Sequence, residues 1–319
     1  MIGVAGAGAF GTALAVALGR EGHEVRLWAR NPEHVADMMR NRANASHLPG
    51  IGLPATVSVI AELEGLAGAE ALLLALPMQA LATVLAANGG LLNGIALVAC
   101  CKGVDLVSLR GPSALITEFC PASPAAILTG PSFAADIADN KPTALTLACA
   151  DAHAERLQHL LSTPTLRLYR TSDVTGAELG GALKNVIAIA SGVVIGAGLG
   201  ESARAALITR GFAEMTRFAI RFGARIETLS GLSGLGDLVL TCTSTQSRNL
   251  RFGLALGAGQ AFDPVTTVEG VATAQAVRRL ATSLAIDMPI ATMVARLIAH
   301  EIALDEAIRS LMSRPLKEE

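Results

Sequence analysis

Along the first half of the chain, short apolar runs alternate with stretches whose apolar residues recur at helical spacing. Six runs read as strands: Ile2–Ala5, Glu24–Trp28, Ala71–Leu76, Ile95–Cys100, Ala125–Leu128 and Ala144–Ala148. Helical or loop stretches separate the first four, which predicts βαβ units and a largely parallel, buried sheet. Asn31-Pro32-Glu33 marks a helix start, with Asn31 as N-cap and Pro32 in the first position. After about Thr171 the strand-like runs stop. Ser172 or Asp173 is placed to cap a long Gly/Ala-rich helix running towards Gly198, followed by Ser202–Arg221 and shorter amphipathic segments. The pattern predicts an α/β domain over residues 1–169 and an all-α domain over 170–319.

A length of 319 residues fits two domains. Hydrophobic residues at 51% against charged residues at 16% exclude a disordered chain, and aromatics at 3% leave Ala, Leu, Val and Ile to fill the core. Charge is nearly balanced at a formal −2 with no basic cluster, so nucleic acid is not an expected partner. A mean hydropathy of +0.49 raises the question of a membrane. The stretch between Glu70 and Lys102 carries no charge, yet Pro77, Gln79, Asn88-Gly89-Gly90 and Asn93-Gly94 interrupt it. Two buried strands around a helix explain it better than a span. A second apolar stretch, Val186–Leu199, is too short to cross a bilayer, so no membrane insertion is expected. Met1-Ile2-Gly3-Val4 opens no signal sequence. The cysteines Cys100, Cys101, Cys120, Cys149 and Cys242 lack CxxC spacing and never cluster with His. Reduced, buried thiols in a cytoplasmic protein without a metal are expected.

Directly after the first strand comes Gly6-Ala7-Gly8-Ala9-Phe10-Gly11, leading into the helix-forming Thr12-Ala13-Leu14-Ala15. Strand, glycines and helix in that order form the dinucleotide-binding turn of a Rossmann-type domain. Gly6 permits the tight turn, Gly8 the approach of backbone to pyrophosphate, and Gly11 close helix packing. With Ala9 and Phe10 these are the candidate cofactor-binding residues of the turn, where a helix N-terminus favours phosphate. An NAD-specific site places an acid at the end of the second strand. Here that position reads Leu27-Trp28-Ala29-Arg30-Asn31, and Arg30 is placed to take a 2′-phosphate. NADP(H) is therefore expected to be preferred, with NAD(H) still usable.

Four further motifs carry a family likeness: Cys101-Lys102-Gly103-Val104, Gly130-Pro131-Ser132-Phe133-Ala134, Ala182-Leu183-Lys184-Asn185-Val186, and Gly234-Leu235-Gly236-Asp237-Leu238 running on to Ser247-Arg248-Asn249. Val268-Glu269-Gly270 adds a fifth. In this order they resemble the bacterial NAD(P)-dependent glycerol-3-phosphate dehydrogenase family. Asp136, Ser202 and Leu250 depart from the family's usual Glu, Asn and Arg, and touch no residue expected to be catalytic. The runner-up, a β-hydroxyacid or 6-phosphogluconate-type dehydrogenase, would carry a different glycine-rich substrate motif in place of Gly-Pro-Ser-Phe-Ala. A catalytically silent NADP-sensing protein would be expected to lack Lys184 or Asp237, and both are present.

The resemblance implies reversible hydride transfer between dihydroxyacetone phosphate and sn-glycerol 3-phosphate, supplying phospholipid synthesis, by a homodimer. Lys184 is the only Lys or Arg between Arg170 and Arg204, and burial or a neighbouring cation would bring its pKa towards working pH. Gly180, Gly181 and Ala188 beside it suggest a substrate groove. The resemblance implies that Lys184 and Asp237 are catalytic, that Lys102 touches substrate and cofactor, and that Gly130 and Ser132 bind substrate. It further places Ser247, Arg248 and Asn249 on substrate, with Ala134, Arg248 and Glu269 on cofactor.

Overall fold

The computed structural model describes residues 1–150 and 152–312 of the chain. Lys317-Glu318-Glu319, the charged C-terminal end, lies outside the described residues. Eight strands form one sheet: β1 (Ile2–Ala5), β2 (Val25–Trp28), β3 (Val57–Ile60), β4 (Ala71–Leu74), β5 (Ala96–Ala99), β6 (Ala125–Thr129), β7 (Thr143–Cys149) and β8 (Leu166–Thr171). Their order is β3-β2-β1-β4-β5-β6-β7-β8, and every pair is parallel except β6 with β7. This is an open α/β sheet with a switch of direction between β1 and β4, beyond whose carboxyl ends ligands gather. β1, β4 and β5 are buried along their whole length, as strands covered by helices on both faces must be.

The six expected strands are present, several a residue or two shorter. β3 and β8 were not expected, and they form the two edges of the sheet. Leu166–Thr171 alternates buried and exposed residues at first, the half-covered pattern of an edge rather than an apolar run. The uncharged stretch after Glu70 resolves into β4, the helix Met78–Leu92 and β5. Asn31 caps the helix Pro32–Asn41, its Oδ1 accepting the Glu33 N–H at 2.9 Å.

Beyond β8 the described chain is helical. Asp173 caps the helix Val174–Gly196, accepting the Gly176 N–H at 2.8 Å. At 23 residues this helix is longer than the apolar stretch read from the sequence and long enough to cross a bilayer. Instead, 83% of its most apolar window is buried inside the protein. It is the axis of the second core, with Phe218, Met215 and Val277 packed around it and fully buried.

Glycines set how closely one neighbour approaches that axis. A Cβ at Gly192 would strike the Leu250 carbonyl, and one at Gly253 the Ile189 carbonyl, so the helix Arg248–Gly257 lies backbone against backbone on it. That crossing places Asn249 opposite Asn185.

Candidate active site

Lys184 projects from the middle of the long helix, which passes the carboxyl end of β6 at Thr129. Its Nζ donates to Asp237 Oδ1 at 2.8 Å and to Thr241 Oγ1 at 2.6 Å. Asp237 opens the short helix Asp237–Thr243, and Thr241 lies one turn further along the same face. The other carboxylate oxygen accepts from Lys102 Nζ at 2.6 Å, and Lys102 also reaches the Gly130 carbonyl at 3.4 Å. One carboxylate thus joins a cation from each domain. Each ammonium has three donors, and two are committed, leaving one on each for a substrate.

Burial decides the electrostatics. Lys184 is 7% exposed and Asp237 is fully buried. Desolvation pushes the Lys184 ammonium down to about 8; Asp237 opposes that shift and Lys102 reinforces it. For Asp237, burial works to raise the carboxyl, but the two lysines outweigh it and hold it below the usual carboxylate value. The cluster carries a carboxylate and two ammonium groups, a surplus of one positive charge.

The faces of Gly180 and Gly181 beside Lys184 are occupied by neighbouring chain segments rather than open. A Cβ at Gly180 would come within 2.6 Å of the Ser233 carbonyl, and one at Gly181 within 2.6 Å of Thr129 Oγ1. These glycines admit the Leu232–Gly236 turn and the end of β6, which press Asp237 and Lys102 onto the lysine. Thr129 Oγ1 is buried there without a partner among the described residues.

The remaining expected residues divide. Ser132 Oγ turns back to the Gly130 carbonyl at 3.3 Å, and Gly130 has a φ of 137°, a left-handed turn that glycine adopts readily. Ser247 caps the helix Arg248–Gly257, its hydroxyl accepting the Leu250 N–H at 3.2 Å. Asn249 is likewise engaged: it donates to Asn185 Oδ1 at 3.0 Å and accepts the Gly270 N–H at 3.0 Å. Arg248 is exposed, close enough to His47 that, after burial and His34, it helps hold that imidazole below its ordinary pKa. Glu269 starts the helix Glu269–Ser283 and accepts the Met78 N–H from the other domain; burial raises its carboxyl. Thr241 and Asn185 were not singled out beforehand, although Thr241 follows Asp237 by four residues.

The glycine turn fits a dinucleotide. Gly6 has a φ of 115°, and a Cβ on Gly11 would strike the Gly6 carbonyl, so only glycine closes the turn. Around Gly8 nothing lies within 4 Å of where a Cβ would be, which leaves room for a ligand to meet the backbone. The helix Ala9–Arg20 starts there without a side-chain cap. Ala134 and Phe10 are half-buried at the edge of the same core. Arg30 is exposed just beyond β2. No group of three or more His, Cys, Asp or Glu among the described residues is placed to hold a metal ion. All five cysteines are buried and none is in a disulfide, with desolvation pushing Cys100 and Cys242 up to about 12.

Comparison with known proteins accounts for nearly the whole chain. Residues 1–155 match the sequence profile described as NAD-dependent glycerol-3-phosphate dehydrogenase N-terminus, and residues 173–309 match its C-terminus counterpart. A glycerol-3-phosphate dehydrogenase [NAD(P)+] of Cereibacter sphaeroides is 63% identical, with 100% of both chains covered. One of Paracoccus denitrificans is 59% identical, over 100% of this chain and 99% of that one. The crystal structure of a glycerol-3-phosphate dehydrogenase from Coxiella burnetii superposes with a TM-score of 0.94 at 38% identity, covering 98% of each chain. The lysine-bridging carboxylate between a dinucleotide fold and a helical domain therefore sits in a member of the NAD-dependent glycerol-3-phosphate dehydrogenase family.

Proposed function

We propose that this chain interconverts dihydroxyacetone phosphate and sn-glycerol 3-phosphate with NADP(H), Lys184 being the proton donor and acceptor. The observation that carries the assignment is a buried lysine with a pKa of about 8, bonded to Asp237 and one donor short of full commitment. Such a group holds a proton at neutral pH and releases it at modest cost.

Held by the Gly6–Gly11 turn, a nicotinamide dinucleotide would supply hydride to C2 of the ketone and accept it from the alcohol in the reverse direction. Lys184 Nζ gives its proton to the C2 oxygen as negative charge develops there, and recovers it from the alcohol in reverse. Asp237 stays ionised, orients both lysines and stabilises the ammonium form. The positive surplus of the cluster, with Lys102 beside the Gly130 turn, favours the developing alkoxide. Arg248 is assigned to the substrate phosphate, where its planar fork suits phosphoryl oxygens, and Gly130, Ser132, Ser247 and Asn249 complete the proposed substrate site. Ser247 and Asn249 serve through geometry, since their side chains are engaged within the protein.

Residues 1–169 form the dinucleotide domain in this reading and 170–319 the substrate and catalytic domain. Gly6, Gly8, Ala9, Phe10 and Gly11 hold the pyrophosphate, with Lys102, Ala134, Arg248 and Glu269 nearer the nicotinamide. Exposed Arg30, in place of an acid, supports a preference for NADP(H) with NAD(H) usable. Phospholipid supply, a cytoplasmic location and a homodimer complete the proposal; the last rests on family likeness and is checked by light scattering. The deciding experiment follows NADPH oxidation with dihydroxyacetone phosphate against small keto acids and sugar phosphates. Activity on a keto acid and none on dihydroxyacetone phosphate would refute the assignment.

A further inference from the structure

Asn44 lies in the loop after the helix Pro32–Asn41 and is only 1% exposed. A buried amide must satisfy two donors and an acceptor oxygen, and this one does so completely. Its Nδ2 donates to the Ala7 carbonyl at 2.8 Å and to Thr12 Oγ1 at 2.7 Å. Its Oδ1 accepts from His34 Nε2 at 2.9 Å and Ser46 Oγ at 3.2 Å. The amide orientation follows from its partners, because a carbonyl such as that of Ala7 can only accept.

Ala7 is the middle residue of Gly6-Ala7-Gly8, and the peptide joining it to Gly8 is trans. In a planar trans peptide the C=O and N–H point in opposite directions. Fixing the Ala7 carbonyl inward on Asn44 therefore turns the Gly8 N–H outward. No acceptor among the described residues takes that N–H, and the space beside Gly8 is open. Thr12, on the first turn of the following helix, is held by the same amide, so turn and helix are locked together.

We propose that Asn44 is a positioning residue for the cofactor: it keeps the Ala7–Gly8 peptide in the orientation that presents a donor, rather than a carbonyl, to the pyrophosphate. Without it the Ala7 carbonyl loses its donor, and a flip of the peptide would set an acceptor against an anion. The inference rests on the reading that Gly6–Gly11 holds the dinucleotide.

The test is Asn44→Ala in the full chain, titrated with NADPH and with NADH by nucleotide fluorescence. Of the four hydrogen bonds lost, the two from Nδ2 to Ala7 and Thr12 hold the turn, and their loss predicts that both Kd values rise by a common factor of about ten. Adenosine 2′-monophosphate, which has no pyrophosphate, should compete as well as before, within twofold. Turnover at saturating NADPH should stay within about threefold while KM rises. Unchanged Kd values, or adenosine 2′-monophosphate weakened by the same factor, would overturn the proposal. Thr12→Val removes one of the two acceptors and, if Asn44→Ala does not fold, carries the same test with an expected rise of about threefold. Gly8→Val separates the underlying reading: if it leaves NADPH binding intact, the dinucleotide is not on this turn at all.

Discussion

Asp237→Asn tests the electrostatics of the site most directly, because it removes one charge and keeps the shape. The carboxylate lies 2.8 Å from Lys184 Nζ in a fully buried position. At an effective dielectric of about 20 that pair is worth roughly 6 kcal/mol, and Lys102 shares the carboxylate. Taking roughly half, about 3 kcal/mol, as the loss felt by Lys184 corresponds to about two pKa units. From about 8 in the native protein, Lys184 would then titrate near about 6. At pH 7 its protonated fraction falls from about nine-tenths to about one-tenth. With Lys184 in its proposed role as proton donor, ketone reduction requires the protonated lysine, so its kcat/KM should fall about tenfold at pH 7 beyond any pH-independent loss of alignment. The alkaline limb of the reduction profile should move down by about two units. Alcohol oxidation needs the neutral amine, so its acidic limb should move down in parallel. The measurement is kcat/KM against pH in both directions. Limbs that stay within half a unit of wild type, with a uniform loss at every pH, would show that Asp237 orients the site without setting the Lys184 pKa.

Lys184→Ala should lower kcat by about 10²–10⁴ while fluorescence titration shows NADPH still bound, and Lys184→Arg should recover little because guanidinium cannot release its proton. Unphosphorylated dihydroxyacetone should be a far poorer substrate than its phosphate, and Arg248→Ala should narrow that gap in kcat/KM. Arg30→Ala should raise KM for NADPH by about ten- to a hundredfold and leave NADH nearly unchanged, the worth of one charge-assisted hydrogen bond; an unchanged ratio would make Arg30 a solvated loop residue. Glu214 accepts the Ile290 and Ala291 N–H groups at the start of the helix Pro289–Ile298, and burial raises its carboxyl to about 7. Its contribution to stability is therefore full below the unfolded carboxyl pKa and is lost as pH rises through about 7, by roughly 3 kcal/mol across that window; melting temperatures should show a steeper decline in wild type than in Glu214→Gln.

What the sequence revealed follows how local each signal is. β1, β4 and β5 are continuous apolar runs because both faces are covered, so composition alone announces them. β3 and β8 lie at the edges, where Arg167 and Tyr169 face outward and break the run. Their alternation was the available cue. Lys184 and Asp237 were recognisable by motif, yet their bond spans 53 positions of sequence and required the fold. Gly180 and Gly181 misled in an instructive way: small side chains next to a functional lysine suggest free space, but here they mark where a neighbouring chain segment comes in. Asn44 gave no sequence signal, because a lone asparagine in a loop is ordinary until its four partners are known.

The Lys102–Asp237–Lys184 cluster is assembled only where the sheet and the helical region meet. Lys102 and the Gly130 turn come from the sheet, whereas Lys184, Asp237 and Thr241 come from the helices. Other ties cross the same boundary. Glu178, half-buried on the long helix six residues before Lys184, accepts the Ser113 N–H at 2.8 Å and so holds the start of the helix Pro112–Phe119. Arg279 donates to the Leu106 carbonyl at 2.6 Å, and Glu269 takes the Met78 N–H. A Cβ at Gly103 would approach Thr273 Oγ1 to 2.9 Å, so the residue after Lys102 packs directly on the second domain. Pulling the domains apart would leave Asp237 with one cation and return Lys102 to water. The reinforcing effect of Lys102 on Lys184 would vanish and its desolvation would weaken, and both changes raise the Lys184 pKa. The lowered Lys184 pKa is thus a property of the docked arrangement, and under the proposed role of Lys184 as proton carrier the ties that hold the domains together also tune the acid.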